Sequence, residues 1–382
     1  MEDFNKNDMK IEMVDLNSQY LKIQDEIDEA VLKVIRDCSF INGPAVHDFE
    51  NALSNYLGGA FVIPCANGTD ALQIAMMALE LNEGDEVIVP SFTYVATAEV
   101  IGLLKLKLVM VDVDLQNFNI TYNSIKNAIG PKTKAIVPVH LFGQCADMEP
   151  ILELAKEYGL FVIEDTAQAI GAEYTFSDGT IKKAGTMGHI GCTSFFPSKN
   201  LGCYGDGGAI YTFDKILAQK IKMISNHGQV KKYVHKYIGV NSRLDSIQAA
   251  VLKIKLKYLD QYNSARRSAG NLYDSLLANI EGVQTPVREV YSTHVFHQYT
   301  LIVKNGKRDE LKNHLENLGI PAMIYYPIPL NEQEAFSDIG IISGTLENTE
   351  HLCNSVLSLP MHTELSNEQQ KYISAHIENF FK

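Results

Sequence analysis

The chain has 382 residues, 46% hydrophobic and 21% charged, enough apolar material for two or three packed domains and no compositional case for disorder. Thirty-three Lys and Arg against 46 Asp and Glu give a net charge of −13, which excludes broad binding to a nucleic-acid backbone but allows a local pocket for an anionic metabolite. The six scattered cysteines, the polar N-terminus and the short apolar runs predict a reduced cytoplasmic protein with no disulfides, secretory leader or membrane span.

From about residue 60 to residue 212, short apolar runs alternate with helical patterns. Phe61–Pro64, Glu86–Val89, Leu108–Val113, Ala135–Val139, Leu160–Ile163, Thr193–Phe195 and Ala209–Tyr211 are rich in Val, Ile and Phe, as strands buried on both faces are. Between two of them Met148, Ile151, Leu152 and Ala155 recur at helical spacing, predicting a helix over Met148–Glu157. Such alternation implies crossover units and a mainly parallel seven-stranded sheet. After Asp245 the pattern changes. Ile247, Ala250, Val251, Ile254 and Tyr258 mark a long helix capped by Asp245 or Ser246, and Lys253, Lys255 and Lys257 read as its solvated face. A strand at Tyr299–Val303, a helix at Asp309–Leu318 and a turn at Gly319-Ile320-Pro321 complete a smaller α+β unit. The expected division is a large domain over residues 1–250 and a small one over 251–382.

Polar clusters fall at the carboxyl ends of predicted strands, where open α/β sheets bind ligands. In Cys65-Ala66-Asn67-Gly68-Thr69-Asp70-Ala71 the glycine permits close backbone approach and the new helix offers free N–H groups to a phosphate; an ordinary turn capped by Asn67 or Thr69 reads equally. In Glu164-Asp165-Thr166-Ala167-Gln168 two acids end a buried strand, an arrangement penalised unless the carboxylates find partners. Asp165 suits a protonated heterocyclic nitrogen, with Gln168 one helical turn on; the plain alternative is a helix-capping Asp. In the third cluster, Thr193 to Gly208, Lys199 follows hydroxyl residues and precedes a glycine-rich return. A desolvated lysine there gains a nucleophilic amine, although a lone loop lysine is usually just solvated. Together the clusters supply a dianion site (Gly68, Thr69, Ser194), an acid for a ring nitrogen (Asp165) and an imine-forming amine (Lys199). Pyridoxal 5'-phosphate needs all of these.

The runs SFFPSKNLGCYGDGGAIYT, CANGTDAL, PSFTYVATAEV, EDTAQAIGA and GVNSRLDSIQAA resemble the DegT/DnrJ-type sugar-nucleotide aminotransferases, a pyridoxal-phosphate-dependent family of transferase fold type I. The resemblance covers nearly the whole chain. It implies that Lys199 bonds the cofactor aldehyde and shuttles a proton, that Asp165 pairs with the ring nitrogen, and that Gln168 lies near the ring hydroxyl. It implies Gly68, Thr69 and Ser194 as phosphate ligands, Tyr94 against the ring face, and Asn241 as a phosphate ligand from the neighbouring subunit, hence a homodimer. NHGQ at 226–229, GVNSRLD at 239–245 and YPIPLN at 326–331 are similar to the branch acting on a UDP-linked 2-acetamido-3-oxo-glucuronic acid in bacterial surface-polysaccharide synthesis. That likeness implies L-glutamate as amino donor, Arg243 at the sugar carboxylate, and Phe40, Tyr325 and Tyr326 around the sugar. Phe40 and Tyr325 depart from the family's usual aromatic hydroxyl and His, which leaves open a neutral dTDP- or UDP-linked keto-deoxyhexose. A sugar dehydratase of the same fold would carry His in place of Lys199, and a non-catalytic homologue would not need the cofactor residues. No nucleic acid, membrane or metal partner is expected, since His227, His294 and His297 lack metal-ligand spacing.

Overall fold

The computed structural model describes residues 10–382; residues 1–9 of the polar N-terminus lie outside the described residues. Its principal strands are β1 (Phe61–Cys65), β2 (Glu86–Pro90), β3 (Lys107–Val111), β4 (Thr133–Ile136), β5 (Phe161–Asp165), β6 (Ile190–Ser194), β7 (Gly208–Thr212), β8 (Val283–Gln284), β9 (Tyr299–Val303), β10 (Gly340–Ile342) and β11 (Val356–Leu359). All seven strands expected before residue 213 are present, with ends shifted by a few residues. β4 stops early, at Ile136, because Pro138 has no N–H to give the ladder.

The large sheet runs in the order β1-β7-β6-β5-β4-β2-β3-β10. From β6 to β10 the neighbours pair in parallel, whereas β7 is antiparallel to both β1 and β6. The sheet therefore gains an eighth strand, β10, paired with β3 through Gly340 and Leu108. Three residues drawn from a distant, partly exposed segment give no strand periodicity, so the sequence pattern does not reveal it.

Burial on both faces follows from the strand period of two. Val87 and Val89 pack on one side with the helices Gly68–Ala78 and Ala96–Leu103, while Ile88 between them packs on the other with Ile151 and Leu154. A second, antiparallel sheet, β8-β9-β11, builds its own core from Leu301, Leu311, Leu315, Ile373 and Ile377. The 32-residue helix Ser246–Leu277 serves both cores: Ala249, Leu252 and Leu259 join the first, Tyr273 and Leu277 the second. The expected 250/251 division thus falls within a continuous helix.

The lysine face on that helix is corrected. Lys253 pairs with Asp48 and Lys257 with Glu26, each at 2.7 Å, but Lys255 is buried with its Nζ 5.2 Å from the Tyr204 ring centroid. At about 100° per residue, a residue two positions from a solvated lysine lies on the opposite side of the helix.

The acids ending β5 alternate in the same way. Glu164 turns away from the ligand end and is fully buried. Its carboxylate accepts N–H bonds from Gly185 (2.7 Å), Met187 (2.7 Å) and Gly188 (2.5 Å) and a bond from His140 Nε2 (2.9 Å). Because His140 Nδ1 accepts from the Ala146 N–H at 3.1 Å, Nε2 carries the proton given to Glu164. The Gly185 loop can wrap the acid because its φ is +84° and it lacks a Cβ, which would lie 2.4 Å from the Tyr211 ring. Glu164→Ala strands four buried donors; it is expected to cost about 3–5 kcal/mol and lower the thermal midpoint by roughly 5 °C or more. Thermal unfolding followed by circular dichroism measures this.

Candidate active site

A cavity of about 740 Å³ lies at the carboxyl ends of β1, β2, β5 and β6, where each strand hands over to a loop or helix. Gly68, Thr69, Tyr94, Asp165, Gln168, Ser194, Lys199, Tyr325 and Tyr326 all line it. Residues read from segments more than 250 positions apart thus meet in one place.

After β1, Asn67 caps the helix Gly68–Ala78 by accepting the Asp70 N–H at 2.8 Å. The first-turn N–H groups of Gly68 and Thr69, which have no acceptor within the helix, remain for an anion. A Cβ on Gly68 would come within 2.7 Å of the Ser194 Cβ, so the glycine lets the β1 and β6 loops close on one another. On the cavity wall after β2, the Thr93 hydroxyl is buried without a partner.

Asp165 turns from β5 into the cavity. Its backbone is fixed on both sides, with its N–H on Pro138 and its carbonyl receiving the His140 N–H at 3.0 Å. Thr97 donates to Oδ2 at 2.8 Å and the Ala167 N–H to Oδ1 at 3.1 Å. Gln168 accepts the Phe142 N–H at 2.7 Å and donates to the Tyr326 hydroxyl at 3.0 Å, which ties the β5 loop to the C-terminal part of the chain. Tyr326 stands 6.2 Å from the Tyr94 ring and 6.0 Å from Phe92, centroid to centroid, and burial raises its phenol pKa.

Lys199 is part-buried in the loop after β6. Desolvation pulls its ammonium down to about 8, against the opposing pull of the Asp165 carboxylate. His297 shares the cavity. Its Nδ1 is buried without a partner, and burial with the charges of Lys199 and Arg266 holds the imidazole well below its usual range. The residues therefore suit pyridoxal phosphate by observation: an amine with a depressed pKa, a carboxylate oriented into the same cavity, and helix-terminal N–H groups beside Ser194.

Phe40, Asn241 and Arg243 lie elsewhere. Phe40 is exposed, its carbonyl accepting the Ser246 N–H at 3.0 Å; Asn241 is exposed and bridges Asn226; Arg243 is part-buried beside them. None lines this chain's own cavity. Ser242 holds their segment against the cradle by accepting the Ala66 N–H at 3.0 Å. Sequence reasoning missed Thr97 and Phe142 as site residues, and left His297 as a structural residue or a sugar contact. Thr97 sits in a helical pattern and Phe142 acts through its backbone, neither of which leaves a chemical signature; His297 was visible only as one histidine among several.

The sequence profile of the DegT/DnrJ/EryC1/StrS aminotransferase family matches residues 21–378. The UDP-2-acetamido-2-deoxy-3-oxo-D-glucuronate aminotransferase of Pseudomonas aeruginosa is 44% identical over 97% of this chain and 100% of its own length. The UDP-N-acetyl-3-dehydro-α-D-glucosamine 3-aminotransferase of Acidithiobacillus ferrooxidans is 44% identical over 94% of this chain and 95% of its own. The crystal structure of a DegT/DnrJ/EryC1/StrS aminotransferase from Brucella abortus superposes with a TM-score of 0.92 at 40% identity, covering 97% of this chain and 99% of that one.

The depressed amine is directly measurable in cofactor-free protein. Reductive methylation at Lys199, followed by peptide mapping, is expected to speed up with pH and level off above about 8, while exposed lysines keep accelerating towards their ordinary 10.5. Removing the carboxylate charge in Asp165→Asn takes away what favours the ammonium, so the midpoint moves lower still.

Proposed function

The chain belongs to the DegT/DnrJ/EryC1/StrS aminotransferase family and is a pyridoxal-phosphate-dependent sugar-nucleotide aminotransferase, and on that premise we propose that it carries an amino group from L-glutamate to C3 of UDP-2-acetamido-2-deoxy-3-oxo-glucuronate. The observation that carries the reaction is the meeting of Lys199, Asp165 and the Gly68–Ser194 cradle in one cavity. The acceptor is supported by the names of two of three relatives at 44% identity, both of which describe a UDP-linked 2-amino sugar oxidised at C3, while the third is named a pleiotropic regulatory protein.

When bound, the cofactor supplies an aldehyde that takes the amino group and a ring that draws electron density from the reacting carbon. Gly68, Thr69 and Ser194 would hold its phosphate, Tyr94 its ring face, Gln168 the edge bearing the hydroxyl, and the Asp165 carboxylate its ring nitrogen. Lys199 Nζ would hold the aldehyde at rest. Once released, the same Nζ would take the α-proton of L-glutamate, whose nitrogen stays with the cofactor while water supplies the keto oxygen of 2-oxoglutarate. In the second half it would deliver a proton to C3 of the sugar, whose keto oxygen leaves as water. An amine with a pKa near 8 can do both, because neither of its protonation states is scarce near neutral pH.

Charge decides where the sugar's anionic groups are met. The cavity of one chain is lined by Asp70, Asp165 and Asp206 with Lys199 the sole Lys or Arg among the lining residues described. A uronate therefore needs a cation from outside, and in this reading Arg243 of a second copy supplies it while that copy's Asn241 reaches the cofactor phosphate, in a homodimer with shared sites. Residues 1–250 hold the cofactor, and residues 251–382 contribute Tyr325 and Tyr326 on the sugar side. In this reading the enzyme works in the cytoplasm and its product is destined for bacterial surface polysaccharide; no helix among the described residues is long and apolar enough to cross a membrane. The same lack of a second cation favours one rival acceptor, a neutral 3-keto sugar nucleotide that needs no Arg243.

A glutamate-dependent assay over a panel of keto-sugar nucleotides separates the acceptors. Lys199→Ala is expected to abolish turnover, and Arg243→Ala to lose activity on the uronate selectively; a neutral substrate preferred by the wild type, and untouched by Arg243→Ala, selects the rival. Co-expression of Lys199→Ala with Asn241→Ala is expected to restore about a quarter of wild-type activity, since random pairing leaves half the sites of the mixed dimers intact. No recovery means that each chain builds its site alone.

A further inference from the structure

Asp165 is fixed by its backbone, yet a carboxylate attached to a rigid strand still turns about its last bond, where the torsional preference is broad. Two donors stop it: the Ala167 N–H on Oδ1 at 3.1 Å and the Thr97 hydroxyl on Oδ2 at 2.8 Å. Thr97 is fully buried in the first turn of the helix Ala96–Leu103 and is not among the residues that line the cavity. A threonine in a helix ordinarily turns its hydroxyl to a carbonyl one turn back. Here the hydroxyl crosses 68 positions of sequence to the tip of β5 instead. One turn before it stands Tyr94, whose ring lines the cavity and whose carbonyl accepts the Thr97 N–H at 3.4 Å.

We infer that Thr97 is the positioning residue that sets the rotation of the Asp165 carboxylate, and that the first turn of its helix fixes that acid and the Tyr94 ring as one unit. The inference rests on the reading of Asp165 as the partner of the cofactor's ring nitrogen. Each oxygen of the carboxylate has one donor from the protein and room for another. With Thr97 on Oδ2 and the Ala167 N–H on Oδ1, the carboxylate plane is held. A valine would keep the shape and β-branching of Thr97 while removing only the hydroxyl.

The test compares holoenzymes of wild type, Thr97→Val, Thr97→Ser and Asp165→Asn, loaded with cofactor labelled with ¹⁵N in the ring. Thr97→Val is expected to slow the L-glutamate half-reaction about 10- to 100-fold with KM unchanged, the loss of one hydrogen bond to a charged group. Its ring-nitrogen resonance moves towards that of unprotonated pyridine. Thr97→Ser restores both, and Asp165→Asn shows both effects more strongly. If Thr97→Val matches wild type in rate and resonance while Asp165→Asn does not, Thr97 has no positioning role. If Thr97→Ser behaves like Thr97→Val, the threonine acts through packing and the inference also fails. If Asp165→Asn leaves the resonance unchanged, it is the assignment of Asp165 that falls. Should Thr97→Val not fold, Thr97→Ala removes the same hydroxyl with less bulk and is read by the same criteria.

Discussion

The site turns on an amine held between two opposing influences. Burial disfavours the charged form of Lys199, and the carboxylate of Asp165 favours it; the outcome is an ammonium pulled down to about 8. Neither influence alone would serve. Burial without the acid would leave an amine slow to pick up a proton, and the acid without burial would leave a cation slow to lose one. The distance between the β5 and β6 strand ends, neighbours in the sheet, is what lets both act on one nitrogen.

That same strand end shows how one local rule produces both stability and chemistry. Adjacent residues of a strand face opposite sides. Glu164 is therefore driven into the interior, where four donors must be provided, and Asp165 into the cavity, where only two are. A buried carboxylate with a full set of donors is structural; one left with open lone pairs is available to a ligand. Counting donors thus assigns the roles of two acids that sequence alone presents as a pair.

Much of this was legible in the sequence, for definable reasons. The seven main strands showed because strands buried on both faces write themselves as continuous apolar runs, and β2, with Val87, Ile88 and Val89 all buried, is a clear case. The helix cap at Asn67 and the cluster around Lys199 were visible because polar residues at strand ends follow local rules. What stayed hidden depended on contacts between distant segments. β10 exists only because β3 offers it an edge, and Lys255 is buried where Tyr204, from the loop after Lys199, covers that side of its helix. The positions of Phe40, Asn241 and Arg243 beyond this chain's cavity have the same origin: resemblance supplies an expected role, but only three-dimensional placement shows that they do not line it.

The choice of anion-binding groups follows from the amine as well. A second lysine or arginine beside the Gly68–Ser194 cradle would bind a phosphate strongly, but its charge would also act on Lys199 across the low-dielectric cavity, pushing its pKa further down. Backbone N–H groups at a helix terminus and serine or threonine hydroxyls attract the dianion with partial charges spread over several atoms, and their fields fall away within about one turn. The cradle can therefore be strong towards phosphate and nearly silent towards the amine. The Arg243 segment, joined to the cradle through Ser242 and the Ala66 N–H, stands outside the cavity that holds Lys199, so its full charge is kept apart from the amine.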